Sequence, residues 1–186
     1  YSQEIFSKIK DNFKELNSLE KYRLLEDTWK SVTVNKFSIN DFLEFLPLYK
    51  SETDPNIWSY IAGIISSLSK ILPVEKSDSF LNYFNKLIGP IKETLGREVR
   101  ESDSMEVKEL RAIVNKLIGS IENDADFINF YSSKFKDGSI EAIQDGSFYN
   151  TTLYLSALDE EIKIEQFLEK FLNAGSPQIE GRYRAI

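Results

Sequence analysis

The spacing of apolar residues is the feature that most constrains the fold of this chain. Apolar side chains recur every three or four residues along most of the sequence, which is the period of an α-helix with one buried face. Only eight Gly and five Pro interrupt the pattern, and no segment shows the two-residue alternation of a strand. The sequence therefore predicts an all-α fold of about ten helices. The clearest stripe contains Ile57, Trp58, Ile61, Ile64, Ile65, Leu68 and Leu72.

Capping residues predict where several helices begin. Ser38 is a good N-cap, and Asp54 and Ser176 each stand before a proline, which favours the first turn of a helix. The predicted helices cover residues 2–16, 19–34, 38–49, 55–72, 77–95, 104–121, 124–136, 147–158 and 160–173, with a last helix from 176.

Successive pairs of predicted helices recur at a spacing of roughly 40 residues, which is typical of helical-repeat proteins. This period favours a HEAT/armadillo-like superhelix of paired antiparallel helices over a closed four-helix bundle. In such arrays each pair packs on its neighbours, and the concave face is often the binding face.

Composition excludes several functional classes. The net charge of −7 argues against a nucleic-acid surface, and the apolar runs are too short to span a membrane. The chain has no Cys and no His, so it lacks thiol catalysis and the usual zinc ligands. Because the absence of Cys also fits a reducing compartment, we expect a cytoplasmic protein. The sequence predicts no catalytic residue and no metal ligand in this chain.

The ends of the chain suggest that it is part of something longer. It begins at Tyr1 without a starting Met, and it stops at Ile186 shortly after a new helix begins. We therefore expect residues 1–186 to be a single helical domain, truncated at both ends of a parent chain.

Five short stretches, in order along the chain, resemble the C-terminal helical domain of the aminopeptidase N family of zinc aminopeptidases. This family includes the endoplasmic-reticulum aminopeptidases, and the chain looks close to the tricorn-interacting-factor type. Each stretch alone is mainly a cap or a core position, but together they are fairly specific. The stretches are Tyr22–Trp29, Phe37–Leu43, Glu52–Trp58, Glu109–Ala112 and Asn173–Gln178.

The resemblance implies a non-catalytic role for this chain. In the family, a separate upstream domain carries an H-E-x-x-H helix that holds zinc, and a G-x-M-E-N-type motif that binds the free amino end of the peptide. Neither motif occurs here, so zinc is implied only for the parent, and the fragment alone is expected to be inactive. The implied partners are the catalytic and β domains of the same parent chain and peptide substrates. The implied role is to enclose the peptide-binding cavity and to take part in opening and closing.

Three arginines are candidates for substrate binding. Arg111 lies on a strongly periodic helix, where it either attracts the carboxylate end of a peptide or forms an ion pair with Glu106 or Glu109. Arg182 and Arg184 either line the cavity of the full protein or lie on a solvated face. Trp29 and Trp58 fall on apolar stripes, so core packing is favoured over ligand stacking.

An alternative function is a free-standing helical-repeat scaffold that binds protein partners. Such an array needs a polar capping helix at both ends. The C-terminal end looks unsealed in the sequence, which favours the truncated aminopeptidase domain.

Overall fold

The computed structural model of the protein describes residues 3–73 and 77–184, with side chains from residue 6 onwards. Within these ranges it contains ten α-helices and no β-strand, which confirms the predicted all-α class. The chain divides into two compact units, residues 1–96 and 97–186, which we call the N-terminal and C-terminal units. Tyr1 and Ile186, on which the predicted truncation depends, lie outside the described residues. The truncation therefore stays a prediction.

Local capping sets the helix starts in the N-terminal unit. The Asn17 and Glu20 side chains each accept a hydrogen bond from the other residue's backbone amide, and Ser38 and Asp54 accept from the first turns of the next two helices. These bonds satisfy amides that have no partner inside the helix. The helices are α1 (Gln3–Asp11), α2 (Ser18–Thr33), α3 (Ile39–Phe45), α4 (Pro55–Ile71) and α5 (Ser77–Leu95), with 3-10 helices at Phe13–Glu15 and Leu46–Tyr49.

Aromatic side chains form much of the core of the N-terminal unit. The ring of Phe6 lies 5.0 Å from that of Phe45, and the ring of Phe13 lies 4.8 Å from that of Tyr49. Phe45 and Tyr49 are completely buried. Such tilted and edge-to-face pairs add to the free energy gained from burying large apolar surfaces. The apolar stripe predicted for α4 is buried from Ile57 to Leu68, whereas its last member, Leu72, follows the end of the helix and is only half-buried.

The turn that leads into α4 is fixed by contacts to α2. Nζ of Lys21 lies 2.9 Å from Oε2 of Glu52, and the hydroxyl of Tyr49 donates to the backbone carbonyl of Lys21 at 2.9 Å. Trp58 donates from Nε1 to the carbonyl of Glu52 at 2.6 Å. The junction therefore combines buried aromatic rings with hydrogen bonds and an ion pair. The full burial of Trp58 confirms its predicted core position.

The C-terminal unit is built around α8, which packs against two earlier helices, while the last two helices pack on each other. Its helices are α6 (Met105–Glu122), α7 (Ala125–Lys136), α8 (Gly146–Ser156), α9 (Ile164–Leu172) and α10 (Pro177–Arg184), with a 3-10 helix at Ser139–Ala142. A buried cluster joins α7, α8, α9 and α10, and it contains Phe135, Ile140, Tyr149, Leu153, Ile162, Phe167 and Tyr183.

Three predicted helices are wrong in part. The helix expected over 2–16 ends as an α-helix at Asp11, and a separate 3-10 helix follows at Phe13–Glu15. The helix expected over 38–49 ends as an α-helix at Phe45 and continues as a 3-10 helix, because Pro47 has no amide hydrogen to donate. The helix expected over 160–173 begins only at Ile164. Before it, the side chain of Asp159 accepts from the amide of Glu161 at 3.0 Å and holds a turn.

The length and the apolar character of a helix determine whether it can span a membrane. In the part of the chain that the structure describes, no helix is both long and apolar enough to cross a bilayer. The superhelical arrangement of the helix pairs stays a prediction.

Candidate functional site

Arg111 lies in the interior of the C-terminal unit. Its side chain is 2% exposed, and its Nη1 lies 2.7 Å from Oδ2 of Asp103, which is 8% exposed. The sequence suggested Glu106 or Glu109 as the alternative partner, and the structure instead places Asp103 there, in the turn before α6. Asp103 also accepts from the backbone amide of Arg100 at 2.6 Å. The ion pair therefore ties this turn to the helix that follows it.

The charge of Arg111 acts on its partner. The hydrogen bond from its guanidinium holds the pKa of the Asp103 carboxyl below its ordinary value, and the amide of Arg100 adds to this effect. In this arrangement the Arg111 guanidinium faces a carboxylate of its own chain and hardly reaches solvent. A role for Arg111 in binding a peptide carboxylate stays a prediction.

Arg182 is held at the surface of the C-terminal unit by an aromatic ring. Its Cζ lies 4.5 Å from the ring centroid of Tyr149, a cation–π contact. The guanidinium also lies beside the first turn of α8, because a Cβ built on Gly146 would come within 3.3 Å of Nη2 of Arg182. The side chain is half-buried. Arg182 is thus fixed in position while its charged group remains accessible.

A cleft of about 320 Å³ opens beside Arg182, between α6, α8 and α10, and we call it the α6–α8–α10 cleft. Among the described residues that line it, two are cationic, two carry amides, one is a tyrosine, and none is a carboxylate. It is lined by Lys116, Asn150, Leu153, Tyr154, Gln178, Gly181 and Arg182.

Lys116 is a feature of this cleft that sequence reasoning missed. Its Nζ lies 5.6 Å from the ring centroid of Tyr154, and burial lowers the pKa of its amino group. The hydroxyl of Tyr154 is in turn 2.9 Å from Oγ of Ser120. Lys116 and Arg182 are far apart in sequence, so their place in the same cleft depends on how α6, α8 and α10 pack together. No local sequence motif predicts it.

Arg184 is in a different environment from Arg182. It is 71% exposed on its side chain and forms an ion pair with Glu180, one turn earlier on α10. Its Cζ lies 5.8 Å from the ring centroid of Phe171. Of the three arginines predicted to bind substrate, Arg182 alone lines the α6–α8–α10 cleft.

A larger groove of about 890 Å³ lies in the N-terminal unit, between α2 and α4. Trp29 lines it and is half-buried, although its ring also contacts the buried Phe42 at 5.1 Å. Tyr22 and Tyr60 add two more aromatic faces, 5.6 Å apart. The other lining residues are small, polar or aliphatic, and they are Ser18, Leu19, Asp54, Asn56, Ser59, Gly63, Ile64 and Ser67.

The potential metal ligands of this chain are Asp and Glu side chains, since its sequence has no His and no Cys. Across residues 6–73 and 77–184, no three of these carboxylates come together in a group that could hold a metal ion. These residues therefore do not fit a zinc site.

Comparison with known proteins gives one result. A family model described as the ERAP1-like C-terminal domain matches residues 1–186, which is the whole chain. No curated protein and no solved structure gives a significant match.

Proposed function

Because this chain belongs to the family of ERAP1-like C-terminal domains, we propose that it is a non-catalytic domain of an aminopeptidase. The role we assign to it is to enclose the peptide substrate and to take part in opening and closing of the parent enzyme. The parent removes amino acids from the N-termini of peptides. The observation that carries the proposal is the match of the family over the full length of the chain.

A domain without catalytic groups affects turnover through enclosure. Closing a cavity around the substrate excludes water and completes the geometry of the site. The zinc that this chemistry uses is, in the proposal, held by another domain of the parent. This chain contributes surfaces that contact the peptide and limit what enters.

The groove between α2 and α4 is the surface best suited to an extended peptide. Tyr22, Trp29 and Tyr60 offer aromatic faces that pack against side chains of many kinds. Ser59 and Ser67 offer hydroxyls that hydrogen-bond to a peptide backbone. Among the predicted arginines, Arg182 is the best placed to attract a peptide carboxylate, since Arg111 faces Asp103 and Arg184 faces Glu180.

We also propose a cytoplasmic location for the parent. The support is the absence of Cys from the chain, which fits a compartment where disulfides do not persist. Fractionation of cells that express the tagged full-length protein tests this, and recovery from a secreted or organellar fraction contradicts it.

The first experiment is to read the coding sequence upstream of Tyr1. We expect one open reading frame that encodes an H-E-x-x-H helix, a distant Glu and a preceding G-x-M-E-N-type motif. A start codon at or just before Tyr1 contradicts the proposal and makes the free-standing helical-repeat scaffold the better account.

The second experiment tests enclosure in the full-length enzyme. Cleavage is measured on peptides of increasing length and on a single aminoacyl amide, which has no peptide chain after its first residue to contact the groove. We expect Tyr22→Ala and Tyr60→Ala to raise KM for long peptides and to leave the aminoacyl amide unaffected. A matched control is Leu172→Ala, which removes a side chain that is 72% exposed on α9 and should change neither substrate. Equal effects on both substrates contradict the proposed role of the groove.

A further inference from the structure

We propose that the α6–α8–α10 cleft is a binding site for a compact oxyanion, with Lys116 and Arg182 supplying its two positive charges. The site is formed by contacts within the C-terminal unit. It deepens the proposed function in one respect, because Arg182 is also the arginine best placed to attract a peptide carboxylate, but binding of a free oxyanion tests it separately from peptide cleavage.

The lining of the cleft is positively charged. Among the residues that the structure describes, two cationic side chains face this cleft of about 320 Å³ and no carboxylate lines it, although the chain has 30 acidic against 23 basic residues. Like charges that share a cleft repel each other, and an anion bound between them turns this repulsion into attraction.

Several other lysines of the same unit are paired with acids. Lys108, Lys136 and Lys170 each have a carboxylate within 3.4 Å of Nζ. Lys116 and Arg182 instead lie over tyrosine rings, at 5.6 and 4.5 Å, much as Arg97 and Lys134 lie over phenylalanine rings elsewhere in the unit. A ring positions a cation without neutralising it, so both charges stay available to a ligand.

Arg182 lies beside the first turn of α8. Nη2 of its guanidinium lies 3.3 Å from the Cβ position of Gly146, at the amino end of this helix. The carboxylate nearest in sequence is Asp145, which caps α8 through the amide of Phe148 and lies 3.4 Å from Nζ of Lys108. Its charge is therefore already matched by partners outside the cleft.

The size and chemistry of the cleft define the ligand class. A guanidinium binds carboxylate or phosphate oxygens in pairs, whereas an ammonium acts as a point charge. The amide groups of Asn150 and Gln178 add neutral donors at the rim. A volume near the lower end for ligand pockets fits a small dianion, such as a phosphate group or a dicarboxylate.

Isothermal titration calorimetry at low ionic strength tests the site, on the full-length protein that contains this chain. Inorganic phosphate and succinate are the two probes, and the tighter one identifies the phosphate or the carboxylate class. We expect Arg182→Gln and Lys116→Gln each to weaken the tighter probe by about tenfold or more, because each removes one of two charges. Arg182→Lys keeps the charge but loses the paired donors, and should have a smaller effect.

The matched control is Lys170→Gln, which also removes one positive charge but from a lysine paired with Glu141 on another part of the unit. It should leave binding unchanged, and circular dichroism checks that every variant is folded. Binding that survives both cleft substitutions overturns the proposal, as does the absence of binding by either probe at about 10 mM. Displacement of the probe by a peptide with a free C-terminus, but not by its amidated form, would assign the site to peptide ends.

Discussion

Oδ2 of Asp103 lies 2.7 Å from Nη1 of Arg111, and the two side chains are only 8% and 2% exposed. Both residues belong to the C-terminal unit. The pair links the turn before α6 to the interior of that unit. Both charges have been removed from water, so each depends on the other for compensation. Loss of one partner should therefore cost more than loss of a surface ion pair.

Asp103→Asn should lower the free energy of unfolding by about 3 kcal/mol, because it leaves a buried guanidinium without its carboxylate. Urea denaturation of the chain measures the change. The double variant Asp103→Asn/Arg111→Met should recover part of the loss, since no buried charge then remains. A single-variant effect as small as that of a surface pair, below about 1 kcal/mol, would contradict the structural role of this contact.

The same pair predicts how stability responds to acid. Arg111 lowers the pKa of Asp103 below its ordinary value of 3.8, so the folded state binds this proton less tightly than the unfolded state. The stabilisation is complete above that value and is lost as the pH falls below it. The difference in unfolding free energy between the wild type and Asp103→Asn should therefore shrink on acidification from about pH 5 downwards. Urea titrations at several pH values measure it, and a constant difference would count against the pair.

Gly119 lies where α6 and α8 approach each other closely. A Cβ at this position would lie 2.3 Å from Cδ2 of Leu155, which is fully buried. Gly119→Ala should therefore destabilise the chain by about 1–3 kcal/mol through overpacking.

Gly63→Ala is the control for that prediction. Gly63 is also inside a helix, α4, but nothing lies within 4 Å of its Cβ position. Alanine there should be neutral or stabilise by about 0.5–1 kcal/mol, because it restricts the unfolded chain. Thermal unfolding of both variants gives the comparison, and equal shifts in Tm would show that the close approach of α6 and α8 does not matter.

The sequence predicts the helices well where the signal is local. Asp54 before Pro55 marked the start of α4, and the predicted helix over 77–95 has the bounds of α5. Capping bonds join residues two or three apart, so the sequence contains all the information that they need. The 3-10 segment after Phe45 also has a local cause. Pro47 has no amide hydrogen and therefore disfavours a continuous α-helix at this point.

The candidate sites depend on contacts that no local pattern contains. Sequence spacing suggested Glu106 or Glu109, on the same helix, as the partner of Arg111. Asp103 lies before that helix and reaches Arg111 only because the turn folds back. Lys116 and Arg182 come from different helices and line the same cleft. The sequence around each resembles that of an ordinary solvated lysine or arginine. Helix periodicity predicts which face of α6 is buried, but it does not predict which distant helix packs beside it.

Tyr49 provides a prediction at the opposite end of the pH range. Its ring is fully buried and its hydroxyl donates to the carbonyl of Lys21 at 2.9 Å. Burial, with a smaller effect from the charge of Glu52, raises the pKa of this hydroxyl above its ordinary value of 10.0. The folded state thus holds the proton more tightly than the unfolded state, and the stabilisation is present below about pH 10 and is lost as the pH rises further.

Tyr49→Phe should lower the free energy of unfolding by about 1 kcal/mol at neutral pH, through loss of the hydrogen bond. Above about pH 10 its stability should fall less steeply than that of the wild type. In the wild type, ionisation of this hydroxyl favours the unfolded chain, and the variant has no such group at this position. Tyr83→Phe serves as a companion variant, since burial also raises the pKa of Tyr83, whose hydroxyl donates to the carbonyl of Leu43. Urea denaturation across this alkaline range measures the slopes. Slopes equal to that of the wild type in both variants would mean that these hydroxyls ionise as easily in the folded chain as in the unfolded one.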